Sequence, residues 1–169
     1  MIENNWITLV KPNKVDYKIS DNKKFGTVVI EPLEKGFGTT LGNALRRVLL
    51  SSLQGTAISS IKINGVLHEF STIEGVREDV TDIIMNLKNV TFNSKSNHSQ
   101  KLSLNVKGPK EVLSSDFDDN PEVDIIDKDA VIMNVDSNRE VNLEIFLDVN
   151  KGYISAEKNK DNENKSVGQ

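Results

Sequence analysis

Three groups of residues have types that could do chemistry. Gly36-Phe37-Gly38-Thr39-Thr40-Leu41-Gly42 lies between a β-branched run and an apolar-periodic segment, the setting in which a helix N-terminus binds phosphate. Its spacing is G-x-G-x-x-x-G and not the G-x-G-x-x-G of dinucleotide folds, and no Gly-Lys-Ser/Thr follows to hold a triphosphate with magnesium. A tight entry into a helix and close backbone approach account better for these glycines. His68-Glu69 pairs an imidazole that titrates near neutrality with a carboxylate. On a short strand the two would point to opposite faces, so a structural or interface histidine is the better reading. Asp116, Asp118 and Asp119 could suggest a magnesium or calcium site, but they lack the EF-hand register and fall where aspartate is an ordinary turn residue. With no cysteine and only His68 and His98 as imidazoles, disulfides, thiolate zinc sites, iron–sulfur clusters and a cysteine nucleophile are excluded. The expectation is a chain with no catalytic residues, no metal and no cofactor of its own.

The elements that would position such residues can be read from periodicity. Thr27-Val28-Val29-Ile30 reads as a strand closed by Pro32, which cannot donate to a ladder. Glu34 to Gly38 reads as a loop, and Thr39 or Thr40 as the cap of a helix over roughly Thr40 to Leu53. That helix carries Leu41, Ala44, Leu45, Val48, Leu49 and Leu53 on one stripe. At about 100° per residue, Leu50 falls opposite Leu41, among Asn43, Arg46 and Arg47. Two readings stay open for that side: a solvated face with a stray leucine, and a partner contact.

Beyond Gly55, Ile61-Lys62-Ile63 and Val66 to Phe70 flank Asn64-Gly65, the signal of a two-residue hairpin turn. Ser71-Thr72-Ile73-Glu74 has capping-box spacing and predicts the start of a second helix. Its buried stripe would be Val76, Val80, Ile83, Ile84 and Leu87, with Glu78, Asp82, Met85 and Lys88 outward. Alternation then predicts short antiparallel strands at Val90–Phe92, Leu102–Val106, Val123–Ile125, Val131–Val135 and Val141–Leu147. From Glu157 to Lys165 there is no apolar residue, which predicts a solvated loop or disorder.

The 169 residues carry a net charge of −4, a poor match to a phosphate backbone whose binding depends on Lys and Arg displacing counterions. Contact with nucleic acid is therefore expected only through partners. No segment approaches the eighteen or so apolar residues of a membrane helix, and the N-terminus has no secretory pattern, so a cytoplasmic chain with no membrane role is expected.

One resemblance extends over nearly the whole chain. The run Glu31-Pro32-Leu33-Glu34-Lys35-Gly36-Phe37-Gly38-Thr39-Thr40-Leu41-Gly42-Asn43-Ala44-Leu45-Arg46-Arg47-Val48-Leu49-Leu50-Ser51-Ser52 resembles the signature of bacterial RNA polymerase alpha subunits. Gly65-Val66-Leu67-His68-Glu69-Phe70-Ser71-Thr72, Glu74-Gly75-Val76, Asn86-Leu87-Lys88, Gly108-Pro109 and Lys151-Gly152-Tyr153 continue it in order. The resemblance implies an α+β fold: a dimerisation domain of a strand plus a long helix, incomplete here, with an inserted, mostly antiparallel β domain carrying one helix. Residues 1–53 would be the first part of the dimerisation domain, 54–156 the insert, and 157–169 a polar connection back toward a missing remainder. Because the sequence stops at Val167-Gly168-Gln169, a fragment with its leucine stripe exposed is expected.

By the same resemblance the chain is a non-catalytic subunit of DNA-directed RNA polymerase, a nucleotidyltransferase complex. It would form a homodimer through Phe37, Leu41, Leu45, Val48 and Leu49. It would dock the beta and beta-prime subunits through Arg46, Arg47 and Leu50, with Met85 and Lys88 nearby. Two other classes compete: a small nucleotide-dependent enzyme using the glycine run, and a direct DNA-binding module, which the acidic balance disfavours.

Overall fold

The computed structural model describes residues 7–21, 25–136 and 138–162, and the last residues of the chain, Val167-Gly168-Gln169 among them, lie outside these. The chain divides into two compact units, 1–52 and 53–169. The architecture is α+β with antiparallel sheets throughout.

The first unit holds β1 (Lys14–Ile19), β2 (Gly26–Glu31) and α1 (Phe37–Ser51). β1 has no counterpart in the sequence reading; β2 is the strand expected before Pro32. They pair antiparallel with Val15 opposite Ile30 and Tyr17 opposite Val28. Directly opposed residues share a face, so Val15, Tyr17, Ile19, Val28 and Ile30 make one apolar side while Lys14, Asp16, Lys18 and Glu31 occupy the other. None of this unit's described residues is buried.

Helix α1 begins earlier than its threonines suggest. Gly36 is the N-cap at φ 89°, a left-handed conformation that favours glycine, and no side chain caps the helix. Thr40 instead directs both its amide and its hydroxyl back to the Gly36 carbonyl, at 3.5 Å each. Phe37 and Gly38 are therefore helical, not part of a loop.

The second unit contains β3 (Gln54–Ile63), α2 (Val80–Lys88), β4 (Phe92–Ser94), β5 (Gln100–Lys107), β6 (Lys110–Leu113), β7 (Val123–Ile125), β8 (Val131–Val135), β9 (Glu140–Lys151) and α3 (Ala156–Asn162). Five strands form one sheet in the order β5-β9-β3-β4-β7, and β6 pairs with β8 separately. β9 shows a period of two: Val141, Leu143, Ile145 and Leu147 are buried, alternating with half-buried Asn142, Glu144 and Phe146. β5 supplies Leu102, Leu104 and Val106 to the same core.

β3 keeps pace through a bulge. Its register against β9 slips between Ile58 and Ser60, so Ile58, Ile61 and Ile63 all oppose core residues although they are not evenly spaced. Ser59 Oγ donates to the Phe146 carbonyl at 3.3 Å beside the slip.

Three expectations fail here. No strand follows Asn64-Gly65: Gly65 takes φ 82° and Val66 N donates to the Ile63 carbonyl, but Val66–Phe70 is a loop and β3 pairs instead with β9 and β4. His68 and Glu69 accordingly lie in that loop, not on alternate faces of a strand. The second helix begins at Val80, not at the Ser71 capping box. Residues 71–79 form a loop bridged at Thr72–Asp79 and Val76–Val135, with Gly75 at φ 80°. Ala156–Asn162 is a short helix where a solvated loop or disorder was expected.

Leu143 and Ile145, fully buried at the middle of β9, should be the costliest positions to truncate. Leu143→Ala is expected to lose about 2–5 kcal/mol of stability in urea unfolding, and Met85→Ala, on an exposed helical face, to stay within about 0.5 kcal/mol of the parent. Equal midpoints for the two variants would contradict this assignment of the core.

Candidate docking surfaces

Helix α1 is a 15-residue helix with no buried residue. Phe37, Leu41, Leu45, Val48 and Leu49 are between 38% and 61% exposed, and Leu50, on the opposite side, 62%. Arg46 and Arg47 are exposed as well. Burial within the chain thus does not separate the expected dimer stripe from the expected docking side; both are open. The backbone end is closed normally: Ser52 N donates to the Val48 carbonyl at 2.9 Å and Ser51 Oγ to that of Arg47 at 2.6 Å. Gly38 and Gly42 do not answer to a close neighbour inside the chain, since a Cβ at either would meet no atom within 4 Å. The close-approach part of their expected role therefore finds no partner here.

Met85 and Lys88 belong to the second unit, on α2. Val80, Ile83 and Leu87 are its buried side. At about 100° per residue, Thr81, Met85 and Lys88 fall within about 60° of one another on the exposed side. The helix is capped by Asp79, whose carboxylate accepts from Asp82 N at 2.7 Å. That Asp-x-x-Asp spacing just before Ile83-Ile84 was the sequence signal for the true start.

Glu78 does not point outward. Its carboxylate accepts from Asn134 N at 2.6 Å and from Asn134 Nδ2 at 2.8 Å, and Arg77 N donates to the Asn134 carbonyl at 2.9 Å. Asn86 Nδ2 adds a bond to the Ile132 carbonyl at 2.9 Å. The preceding loop and α2 are thereby fastened to β8. Partial burial pushes the Glu78 carboxyl up, but the two bonds from Asn134, with the neighbouring Arg77, outweigh it and hold the group below the usual carboxylate range.

The remaining candidates for chemistry are structural. Asp116 binds Lys110 Nζ at 2.6 Å and accepts from Leu113 N at 2.9 Å, closing a 3-10 turn at Ser114–Asp116. Burial raises its carboxyl, and these two donors more than reverse that. Among the described residues no group of three or more His, Asp or Glu could hold a metal ion. A polar depression of about 270 Å³ is lined by Asn97, Ser99, Asp148, Asn150 and Asn159. There Ser99 Oγ donates directly to Asp148, with no imidazole lining the depression to act as a base. No helix among the described residues is long and apolar enough to cross a membrane.

The described chain is thus a bulged antiparallel sheet covered by one helix, with exposed sides on α1 and α2. The family model of the RNA polymerase Rpb3/RpoA insert domain matches residues 61–168, more than half of the chain, and the protein belongs to that family. It is thus a component of an RNA polymerase, a nucleotidyltransferase complex, and assembles with other polymerase subunits.

The Glu78 clamp has a pH signature. A carboxyl depressed by folding contributes stability that is complete above its unfolded value and is lost as pH falls toward the folded one. Glu78→Gln should therefore be less stable than the parent at pH 7, and the gap should narrow as pH drops below about 4.3. A gap in urea midpoint that stays constant from pH 7 to pH 3.5 would show that the carboxylate charge contributes nothing.

Proposed function

We propose that this chain is the N-terminal, assembly-scaffold portion of a bacterial alpha-type polymerase subunit. It dimerises through α1, and the dimer then gathers the beta subunit on one protomer and beta-prime on the other. The observation that carries the reading is the two-sidedness of α1: Phe37, Leu41, Leu45, Val48 and Leu49 lie open beside a side that presents Arg46, Arg47 and Leu50. Burying a leucine, valine or phenylalanine that is now exposed is worth about 1.5–3 kcal/mol, so a stripe of five can drive association. An arginine fork beside an apolar anchor is a composition that interfaces favour. Residues 1–53 then act as part of the dimerisation domain, 54–156 as the insert, and 157–169 as the connection onward. Met85 and Lys88 on α2 extend the docking role to the insert. A cytoplasmic setting and purely indirect contact with nucleic acid follow from the same reading, which agrees with the net charge of −4.

Two measurements test this. Leu45→Glu should shift the chain toward monomer in sedimentation velocity, because a carboxylate cannot enter an apolar seam without a partner; an unchanged distribution argues against α1 as the seam. Arg47→Ala should weaken pull-down of the beta or beta-prime subunit at least tenfold, and recovery equal to the parent's would remove Arg47 from the docking side.

A further inference from the structure

We propose that Asn64 is a site of spontaneous deamidation in the folded protein, and that its β-linked product is a substrate for an isoaspartyl repair methyltransferase. The site is independent of the docking reading above, because it rests on a bond and a turn and not on a partner surface. The sequence contains a single Asn-Gly pair, Asn64-Gly65. It is also the pair that no hairpin uses, since the chain leaves β3 there without a second strand.

Both reacting groups are open. Asn64 and Gly65 are exposed, and a Cβ at Gly65 would meet no atom within 4 Å. Asn64 N donates to the Asn142 carbonyl at 3.1 Å and Val66 N to that of Ile63 at 3.2 Å, so the turn is held on either side of the Gly65 amide. That amide and the Asn64 carboxamide make no hydrogen bond among the described residues. Glycine contributes twice: with no Cβ it leaves its own nitrogen unshielded, and it accepts the φ of 82° that the turn requires. The exposed competitors Asn93-Ser94 and Asn97-His98 have a bulkier second residue whose amide is already engaged. Ser94 N donates to Thr56 Oγ1 at 3.0 Å, and His98 N to Ser96 Oγ at 3.2 Å.

The chemistry needs only water. The Gly65 nitrogen, its proton taken by hydroxide, attacks Asn64 Cγ: the N–Cγ bond forms, the Cγ–Nδ2 bond breaks, and Nδ2 departs as ammonia after gaining a proton from water. A second water opens the succinimide. Cleaving the N–Cγ bond leaves aspartate, whereas cleaving the bond from N to the Asn64 backbone carbonyl carbon leaves isoaspartate, with the main chain rerouted through Cβ and Cγ. Either product adds a negative charge to a chain of net −4. The β-linked product also inserts a methylene between Ile63, which is in the core, and Val66, which packs against it. Across that lengthened chain the bond from Val66 N to the Ile63 carbonyl loses its geometry. The ladder of β3 with β9 ends at the Ile63–Leu143 pair and is left intact.

The test ages the whole folded chain in mildly alkaline buffer. Isoaspartate is read by peptide mapping, and by methyl transfer from S-adenosylmethionine with a purified isoaspartyl methyltransferase. It should accumulate at Asn64 about tenfold faster, or more, than at Asn93 or Asn97, a barrier difference of about 1.4 kcal/mol. Asn64→Gln keeps an amide but cannot close the same ring; it should show the parent's circular dichroism and lose most of the methyl acceptance. In the aged chain, hydrogen exchange at the Val66 amide should quicken while that at Ile145 stays slow. Isoaspartate forming at Asn93 or Asn97 as fast as at Asn64 overturns the assignment. So does an Asn64 that converts only after unfolding in urea, because the fold then protects it. Conversion to aspartate with no isoaspartate overturns the ring, and isoaspartate that the methyltransferase refuses overturns the repair substrate. Equal exchange at Val66 before and after ageing overturns the break in the turn.

Discussion

β9 is the strand on which the second unit depends, because it carries a long ladder on each of its two edges. β5 and β3 each hydrogen-bond to it, and Leu143 and Ile145 at its centre have no exposed surface. With β9 absent, among the described residues β5 would have no ladder and β3 would keep a single pairing to β4, at Thr56 and Phe92. Helix α2 packs on β8 and β3, within the same core to which β9 contributes its apolar face. Ile83 and Leu87 of α2 belong to the same buried cluster as Leu143 and Ile145, and Ile132 and Met133 of β8 complete it. The direction in which α2 presents Met85 and Lys88 is thus set from beneath, by packing at close to crystal density that tolerates little rotation of the helix.

The first unit obeys the opposite rule. A hairpin with one apolar side and a helix with an apolar stripe are elements that ordinarily hide those surfaces, and here they do not. Two strands alone are marginal in water, and most helices draw their stability from packing and not from propensity. Gly38 and Gly42 lower α1's propensity further, by about 1 kcal/mol each relative to alanine. Among the described residues, then, neither the hairpin nor the helix draws stability from a buried apolar face.

How much of the fold was legible in the sequence depends on where each signal comes from. Strands β5 and β9 were legible because one buried face imposes strict alternation, and β7 and β8 fall at Val123–Ile125 and Val131–Val135 where they were expected, although adjacent Ile132 and Met133 of β8 are both buried. Asn64-Gly65 was misleading because a turn signal does not determine whether a second strand comes after it. The chain beyond Gly65 is held by Ser71 and Thr81, contacts no local rule contains. The Ser71 capping box competed with Gly75, whose positive φ ends any helix there, and with Asp79, the cap that prevails. β1 went unread although Lys14-Val15-Asp16-Tyr17-Lys18-Ile19 alternates cleanly, and β6 because Lys110-Glu111-Val112-Leu113 is short and does not alternate. Of the candidate site, the apolar stripe and the opposed arginines of α1 were readable from periodicity. The inward turn of Glu78 was not, since it depends on hydrogen bonds from Asn134 that no local pattern contains.

The clamp between Glu78 and Asn134 links these two levels. A nine-residue loop without regular structure carries amides and carbonyls that must find partners, and β8 supplies them: Arg77 N meets the Asn134 carbonyl, Asp136 N meets that of Gly75, and Glu78 takes both donors of Asn134. The loop is consequently an added edge to β8 and not a free linker. That matters for any docking face built on α2. A surface whose loop folds only on contact must give up ordering free energy during binding. A surface already fastened at Asn134 and Ile132 loses little, so a modest apolar patch can suffice. The same hydrogen bonds that made the helix start later than its sequence suggests are therefore what make its exposed side a preset one.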